Sequence, residues 1–308
     1  MTSALIVRPS SLGDIVHAMP IVRDLARHRP GIAIDWVAEE SFTGLVALNR
    51  GVRRVIPVAL RRWRHHLPAR RTWSEFGAFR RQLGSERYTA VIDLQEQVKG
   101  AFLAWLARGP VHGPDRASIR EPAATLAYRR RHRVDPHQHL IDRCRQLAGA
   151  AFGYAPQGPP QFDLTPPPLH DAPSSRYAVF MHATSRADKL WPDAHWRALI
   201  EHFADAGFAV LLPWGSASEQ ARSAALAAGI ARADVPEHRA LPKMAALLAG
   251  ADLPRGVGHV LPEALATGSG RPPQPTHERA DAPDVGWCMT RHIVRTVYRS
   301  GAGRGRHG

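Results

Sequence analysis

A chain of 308 residues, 44% of them hydrophobic, is long and apolar enough for two α/β domains of roughly 150 residues each. Lysine and arginine outnumber aspartate and glutamate by 41 to 27, and the formal charge of +14 favours anionic partners such as nucleic acid, phosphates or an acidic membrane surface without choosing among them. The two cysteines, Cys144 and Cys288, lie far apart. With no secretory apolar region and no unbroken apolar stretch of about 18 residues, this argues against a secreted disulfide scaffold and a membrane-spanning chain, and for a cytoplasmic protein whose membrane contact is peripheral.

The apolar run Ala4-Leu5-Ile6-Val7 reads as a strand, Ser10-Ser11-Leu12-Gly13-Asp14 as a tight loop, and Ile15 to His28 as a helix, because Val16, Met19, Ile21, Val22 and Leu25 recur mostly at helical spacing. Gly13 permits a sharp turn, and Asp14 stands where the helix begins. Two readings of that carboxylate stay open: a helix cap, or a group aimed into the crevice beyond the carboxyl end of a strand. Further short apolar runs, Ile32 to Val37, Val55 to Val58 and Ala90 to Leu94, alternate with amphipathic stretches and predict a parallel sheet covered by helices. Between Val58 and Phe76 the chain reads Arg61-Arg62-Trp63-Arg64-His65-His66, followed by Arg70 and Arg71. This is either a solvated loop or a clamp for an acidic ligand, since guanidinium forks match carboxylate and phosphate oxygens. Lys99 and Arg120 are further cations within reach of the same crevice. His137 and His139 lack the further ligands a metal would need, and a surface role suits them better.

From Pro156 to Ser175 the composition turns to Pro-Gln-Gly-Pro-Pro and Thr-Pro-Pro-Pro, which stiffens the chain and predicts an interdomain linker. A second domain opens with the strand Tyr177 to Met181. After it, Thr184, Ser185 and Lys189 precede a helix started by Trp191-Pro192, and hydroxyls, an ammonium and free amides at a helix start suit phosphate. The strand Phe208 to Leu212 ends in Pro213-Trp214-Gly215-Ser216, with Glu219 in the next helix, where a carboxylate can accept from ribose hydroxyls or be merely exposed. Leu241-Pro242-Lys243-Met244 then leads into an apolar helix. The expected organisation is 1–155, a linker over 156–175, 176–252, and a tail over 253–308.

These motifs carry a resemblance. Ser10 to Asp14, Arg61-Arg62-Trp63-Arg64, Arg120-Glu121-Pro122, His182-Ala183-Thr184-Ser185, Asp188-Lys189-Leu190-Trp191-Pro192 and Pro213-Trp214-Gly215 come in the order seen in lipopolysaccharide heptosyltransferases of glycosyltransferase family 9, over roughly residues 4 to 252. The resemblance implies a GT-B architecture, in which two Rossmann-like domains face each other across a cleft. The first would hold the acceptor and the second the sugar nucleotide. It also implies an inverting, metal-independent transfer of heptose from ADP-heptose to a Kdo residue of Kdo-lipid A. The basic charge and that lipid substrate together predict peripheral contact with the inner face of the cytoplasmic membrane, and a monomer is expected. In that frame Asp14 is the general base and Lys189, helped by Thr184 and Ser185, holds the diphosphate. Trp214, Gly215, Glu219 and Met244 grip the nucleoside; Ser10, Ser11, Arg61, Arg62, Arg64, Lys99 and Arg120 receive the acceptor. No cofactor and no metal are expected.

After Leu253 the chain leaves the family pattern. Where the pattern calls for Asp-Thr-Gly-Leu-Ser-His and Gly-Pro-Thr-Asp-Pro, the chain gives Pro254-Arg255-Gly256-Val257-Gly258-His259 and then an Arg-, Gly- and Pro-rich run, the composition expected of a reading-frame shift near codon 253 and of irregular structure. The C-terminal domain is therefore expected to be incomplete. Two other readings compete: a degenerate, non-catalytic binder of ADP-sugar or inner core, and a basic nucleic-acid-binding protein. The second is disfavoured because the arginines are spread through the chain with no recognition motif.

Overall fold

In the computed structural model, residues 2–171, 173–184 and 190–256 are described, the last four as backbone alone. The chain divides into two compact units at Thr165/Pro166.

The first unit contains β1 (Ser3–Val7), α1 (Leu12–Ala18), α2 (Pro20–His28), β2 (Ala33–Glu39), α3 (Thr43–Val46), β3 (Arg54–Val58), α4 (Leu60–Trp63), α5 (Arg70–Gly84), β4 (Ala90–Asp93), α6 (Val98–Trp105), β5 (Val111–Pro114), β6 (Arg130–His132) and α7 (Leu140–Phe152), with a 3-10 turn over Pro122–Ala127. Its six strands are all parallel in the order β3-β2-β1-β4-β5-β6. All five residues of β1 are buried, as a parallel strand covered on both faces requires. Leu5 and Val7 pack with Phe79, Leu83 and Leu103 under α5 and α6, so the pleat turns Ala4 and Ile6 to the other face. The helix expected over Ile15 to His28 is two helices. Pro20 has no amide to continue the ladder of α1, and it occupies the first position of α2, where none is needed.

Much of the proline-rich stretch is strapped to this unit. Asn49 Nδ2 donates to Phe162 O at 2.9 Å, Thr165 N to Leu48 O at 2.9 Å, and Phe162 and Leu164 are buried. Arg145 on α7 donates to Gln157 O and Gly158 O while forming a buried pair with Asp24 of α2 at 2.7 Å. The strap therefore runs to Thr165, nine residues past the start that composition suggests for the linker at 156.

The second unit contains β7 (Tyr177–Met181), α8 (Asp193–Asp205), β8 (Ala209–Leu211), α9 (Ala217–Ala227), β9 (Ala233–Asp234), α10 (Leu241–Gly250) and β10 (Leu253–Gly256), its strands parallel in the order β10-β7-β8-β9. Phe180, Trp196, Ile200, Val210 and Leu226 form its core. Pro192 caps α8 from outside instead of entering it. Although the sequence pattern departs at Leu253, β10 pairs with β7 through Gly256, and the Asp252 carboxylate accepts from Tyr177 N at 3.0 Å beside it. The expectations for 257–308 lie outside the described residues. No described helix is long and apolar enough to cross a membrane.

Candidate active site

In the first sheet β1 and β4 are the central neighbours, and the order runs outward from them in both directions. Their carboxyl ends therefore open a crevice at the switch point of the strand order. Residues 8–14 form one wall and Asp93 to Gln97 the other. Asp14 is the third residue of α1. Its Oδ2 accepts from Ser11 N at 3.0 Å and Ser11 Oγ at 3.1 Å, and lies 3.1 Å from Arg8 Nη2. The cap and the crevice carboxylate are thus the same group. Among the described residues these contacts all fall on Oδ2, and with the side chain about one-third exposed (36%), Oδ1 is open to a proton donor.

Around Asp14 stand residues that sequence reasoning did not select. Arg8 is buried. His17, one turn along α1, packs edge-on to His139 at 5.0 Å; burial, and then the His139 charge, press its pKa down to about 4, so it is neutral. Asp93, at the end of β4, is fully buried, and burial pushes its carboxyl up to about 7 against the hydrogen bonds from Tyr128 Oη (2.7 Å) and Gln95 N (2.8 Å). Tyr128 reaches it only because residue 113 is glycine, where a Cβ would overlap the Tyr128 ring. Glu96, left-handed at φ 58°, pairs with Arg143 at 2.5 Å. Position carried the available signal: Arg8 and Asp93 both stand at the carboxyl ends of apolar runs.

The cations differ in their availability. Arg62 is engaged by Glu40 through two hydrogen bonds (3.1 and 3.0 Å) and by Glu75 (2.8 Å), so it holds α4 in place. Arg61 donates its backbone amide to Glu39 at 3.0 Å and sets its guanidinium 5.6 Å from the Phe42 ring. The Arg64 guanidinium, among the described residues, bonds its neighbour His65 alone. Lys99 and Arg120 are exposed, and Val98 N donating to Glu121 Oε2 at 2.8 Å joins the two segments that carry them. Of the serines, Ser10 N donates to Gln95 Oε1 at 3.3 Å, and Ser11 is spent on Asp14. A basic hollow of about 900 Å³, lined by Arg87, Arg108, Arg129, Arg130 and the bonded pair His112–His132, lies at the opposite edge of the sheet, where the strands begin.

In the second unit the loop after β7 leaves the sheet at its switch point, between β10 and β8. Thr184 is half-buried there; Ser185 and Lys189 lie outside the described residues. Arg222 of α9 grips both flanks of this loop, donating to His182 O at 2.7 Å and Trp191 O at 2.8 Å, with Asp193 at 2.6 Å. His182 is fully buried against Ser223 at 2.7 Å, and burial lowers its pKa. The Glu219 Oε2 accepts from Gly215 N at 2.7 Å, closing the turn before α9, while Trp214 Nε1 donates to Pro236 O at 2.9 Å. Met244 is half-buried in the first turns of α10. Among the described residues no three His, Cys, Asp or Glu side chains converge to hold a metal ion.

The family pattern of glycosyltransferase family 9 (heptosyltransferase) matches residues 76–257. The lipopolysaccharide heptosyltransferase 1 of Escherichia coli K12 is 43% identical over 251 residues, covering 80% of this chain and 79% of the relative. That of Pseudomonas aeruginosa is 43% identical over 263 residues, covering 83% and 74%. Among solved structures, the E. coli heptosyltransferase WaaC with ADP-2-deoxy-2-fluoro heptose superposes with a TM-score of 0.79 at 40% identity, covering 86% of each chain. The E. coli ADP-heptose lps heptosyltransferase II, at 20% identity and a TM-score of 0.68 over 86% and 82% of the two chains, shares the fold.

Proposed function

This chain belongs to glycosyltransferase family 9, and from that premise we propose that it transfers L-glycero-D-manno-heptose from ADP-heptose to a Kdo residue of Kdo-lipid A, with inversion and without a metal, in the synthesis of the lipopolysaccharide inner core. The observation that carries the mechanism is Asp14, oriented through Oδ2 at the mouth of a sheet crevice with Oδ1 open. Asp14 takes the proton from the Kdo hydroxyl as that oxygen attacks the anomeric carbon from the face opposite ADP. Arg8 and Ser11 hold the carboxylate, so its orientation is settled before the acceptor arrives. Arg61, Arg64, Lys99 and Arg120 receive the acceptor's carboxylates and phosphates, and Arg62 supports them from its acidic socket.

On the donor side Thr184, Ser185 and Lys189 hold the diphosphate. The Lys189 ammonium neutralises the charge that grows as ADP departs, the work a metal does elsewhere. Glu219, bonded to Gly215 through Oε2, keeps Oε1 for ribose hydroxyls, and Trp214 and Met244 border the base. The acceptor is lipid-anchored, so the protein works peripherally at the inner face of the cytoplasmic membrane as a monomer.

Turnover of ADP-heptose with a Kdo-bearing acceptor tests this reading. Asp14→Asn keeps an acceptor for the Ser11 amide yet removes the base, and transfer falls by about a hundred- to ten-thousand-fold while ADP still binds. Near-normal turnover by this variant would remove Asp14 from the chemistry. One observation favours a second reading: the family's Asp-Thr-Gly-Leu-Ser-His stretch is missing after Leu253. Thermal stabilisation by ADP with no turnover by the unaltered chain identifies it instead as a non-catalytic binder.

A further inference from the structure

An apolar stripe on the first unit has no partner among the described residues. Along α6, Val98, Phe102 and Trp105 recur at helical spacing on one face and are 51%, 44% and 64% exposed, whereas Ala101, Leu103 and Ala104 are buried against the sheet. Trp73 on α5, 61% exposed, joins them through Phe76 in a chain of rings: Trp73–Phe76 at 6.3 Å, Phe76–Phe102 at 6.4 Å and 6° between planes, Phe102–Trp105 at 6.5 Å. Leu126, 83% exposed, stands on the 3-10 turn that packs against α6. Single exposed apolar residues are ordinary, but a contiguous ribbon of four rings flanked by aliphatics marks a docking surface.

Charge selects what docks. Arg70 and Arg80 on α5 are exposed, and no described carboxylate lies within ion-pairing distance of them; Lys99 and Arg120, assigned above to the acceptor, continue the basic face towards the crevice. The nearby acids are engaged: Glu75 accepts from Arg62, Trp63 and Arg71, and Glu121 from Val98 N. Indole and phenyl rings suit the boundary between acyl chains and headgroups, while guanidinium and ammonium groups meet lipid phosphates. The ribbon also begins beside the crevice, because α6 starts directly after the wall formed by Asp93 to Gln97.

We propose that this face of α5, α6 and the 122–127 turn docks the protein onto an anionic phospholipid surface, presenting the Asp14 crevice to glycans that project from it. The proposal deepens the reading of a lipid-anchored acceptor and rests on it. Its test is co-sedimentation of the full chain with phosphatidylglycerol/phosphatidylethanolamine vesicles and with phosphatidylcholine vesicles. The unaltered protein partitions to the anionic vesicles and weakly to the neutral ones. Trp73→Ser combined with Trp105→Ser lowers that partition by about tenfold or more, slows transfer to acceptor embedded in vesicles, and leaves transfer to a soluble, lipid-free Kdo acceptor unchanged. Leu126→Ser, at a position almost free of contacts, lowers the partition in the same direction and guards against misfolding of the double variant. Equal partition of the variants and the parent overturns the proposal. So does a parent dimer, seen by sedimentation velocity, that the double variant dissolves, for the stripe would then bind a second copy. Vesicle binding without turnover on the soluble acceptor supports docking and overturns the transfer reading.

Discussion

The crevice of the first unit holds two carboxylates in opposite environments, Asp14 open to solvent and Asp93 sealed beneath it. With its pKa raised to about 7, Asp93 keeps a proton in the native state that the unfolded chain loses near 4. Its contribution to stability therefore falls as pH rises between about 4 and 7, with a slope of at most ~1.4 kcal/mol per pH unit, and is level outside that window. His17 and His112 act in the opposite sense: lowered to about 4, they stay neutral in the native state while the unfolded chain takes up protons below about 6.5, so stability rises with pH across that interval. The two trends overlap, so the informative quantity is the difference in unfolding free energy between the parent and Asp93→Asn, followed by denaturant titration from pH 4 to 8. That difference should decline towards neutrality and then flatten; a level difference throughout would mean Asp93 is ionised in the native state. At this scale Asp14 was legible because a glycine and a carboxylate between an apolar run and an amphipathic one define a strand–loop–helix corner. The places of Arg8 and Asp93 were less so, since both are buried, which a single sequence does not display. Arg62 shows the converse: Arg61, Arg62 and Arg64 read as three equivalent cations until Glu40 and Glu75 are seen to claim one of them.

Elements were readable where one period dominated. β7 has the limits its apolar run suggested, and β1 to β4 start or stop within two residues of theirs. Elements with polar or glycine-bearing faces, such as β5 (Val111-His112-Gly113-Pro114) and β6 (Arg130-Arg131-His132), carried no such signal and are strands because the sheet has places for them. The loop after β7 depends on an element that its own sequence does not mention. Arg222, on α9, bonds the carbonyls of His182 and Trp191 and the carboxylate of Asp193, pinning the chain on either side of 183–190. Hydrogen bonds to a charged group are worth about 1.5–3 kcal/mol each, and the planar fork that makes them has no counterpart in lysine. Arg222→Lys should therefore weaken ADP binding by roughly tenfold, equivalent to ~1.4 kcal/mol, while transfer at saturating donor is lowered less because Asp14 belongs to the other unit. Titration of the variant with ADP checks this; unchanged affinity would reduce Arg222 to a surface ion pair.

For the molecule as a whole, the proline-rich run lies around the division between the two units at Thr165/Pro166, and its composition does not display how far the first unit keeps hold of the chain. Asn49, Leu48 and Arg145 bind it up to Thr165, and on the other side Arg239 pairs with Asp171 at 2.7 Å, so little of the proline-rich run is left without a tether. Each unit has its own parallel sheet and its own apolar core, and such a chain need not unfold in one step. A ligand that binds one folded unit stabilises that unit by mass action, by about 2.7 kcal/mol at a hundredfold excess over its Kd. Scanning calorimetry should accordingly resolve two transitions, with ADP raising the one that belongs to residues 166–256 and leaving the other in place. Asp14→Asn should leave the ADP-dependent shift intact, and Arg222→Lys should shrink it. A single transition that ADP moves as a whole would instead mean that the two sheets unfold as one cooperative body, and that donor binding is felt at the crevice that holds Asp14.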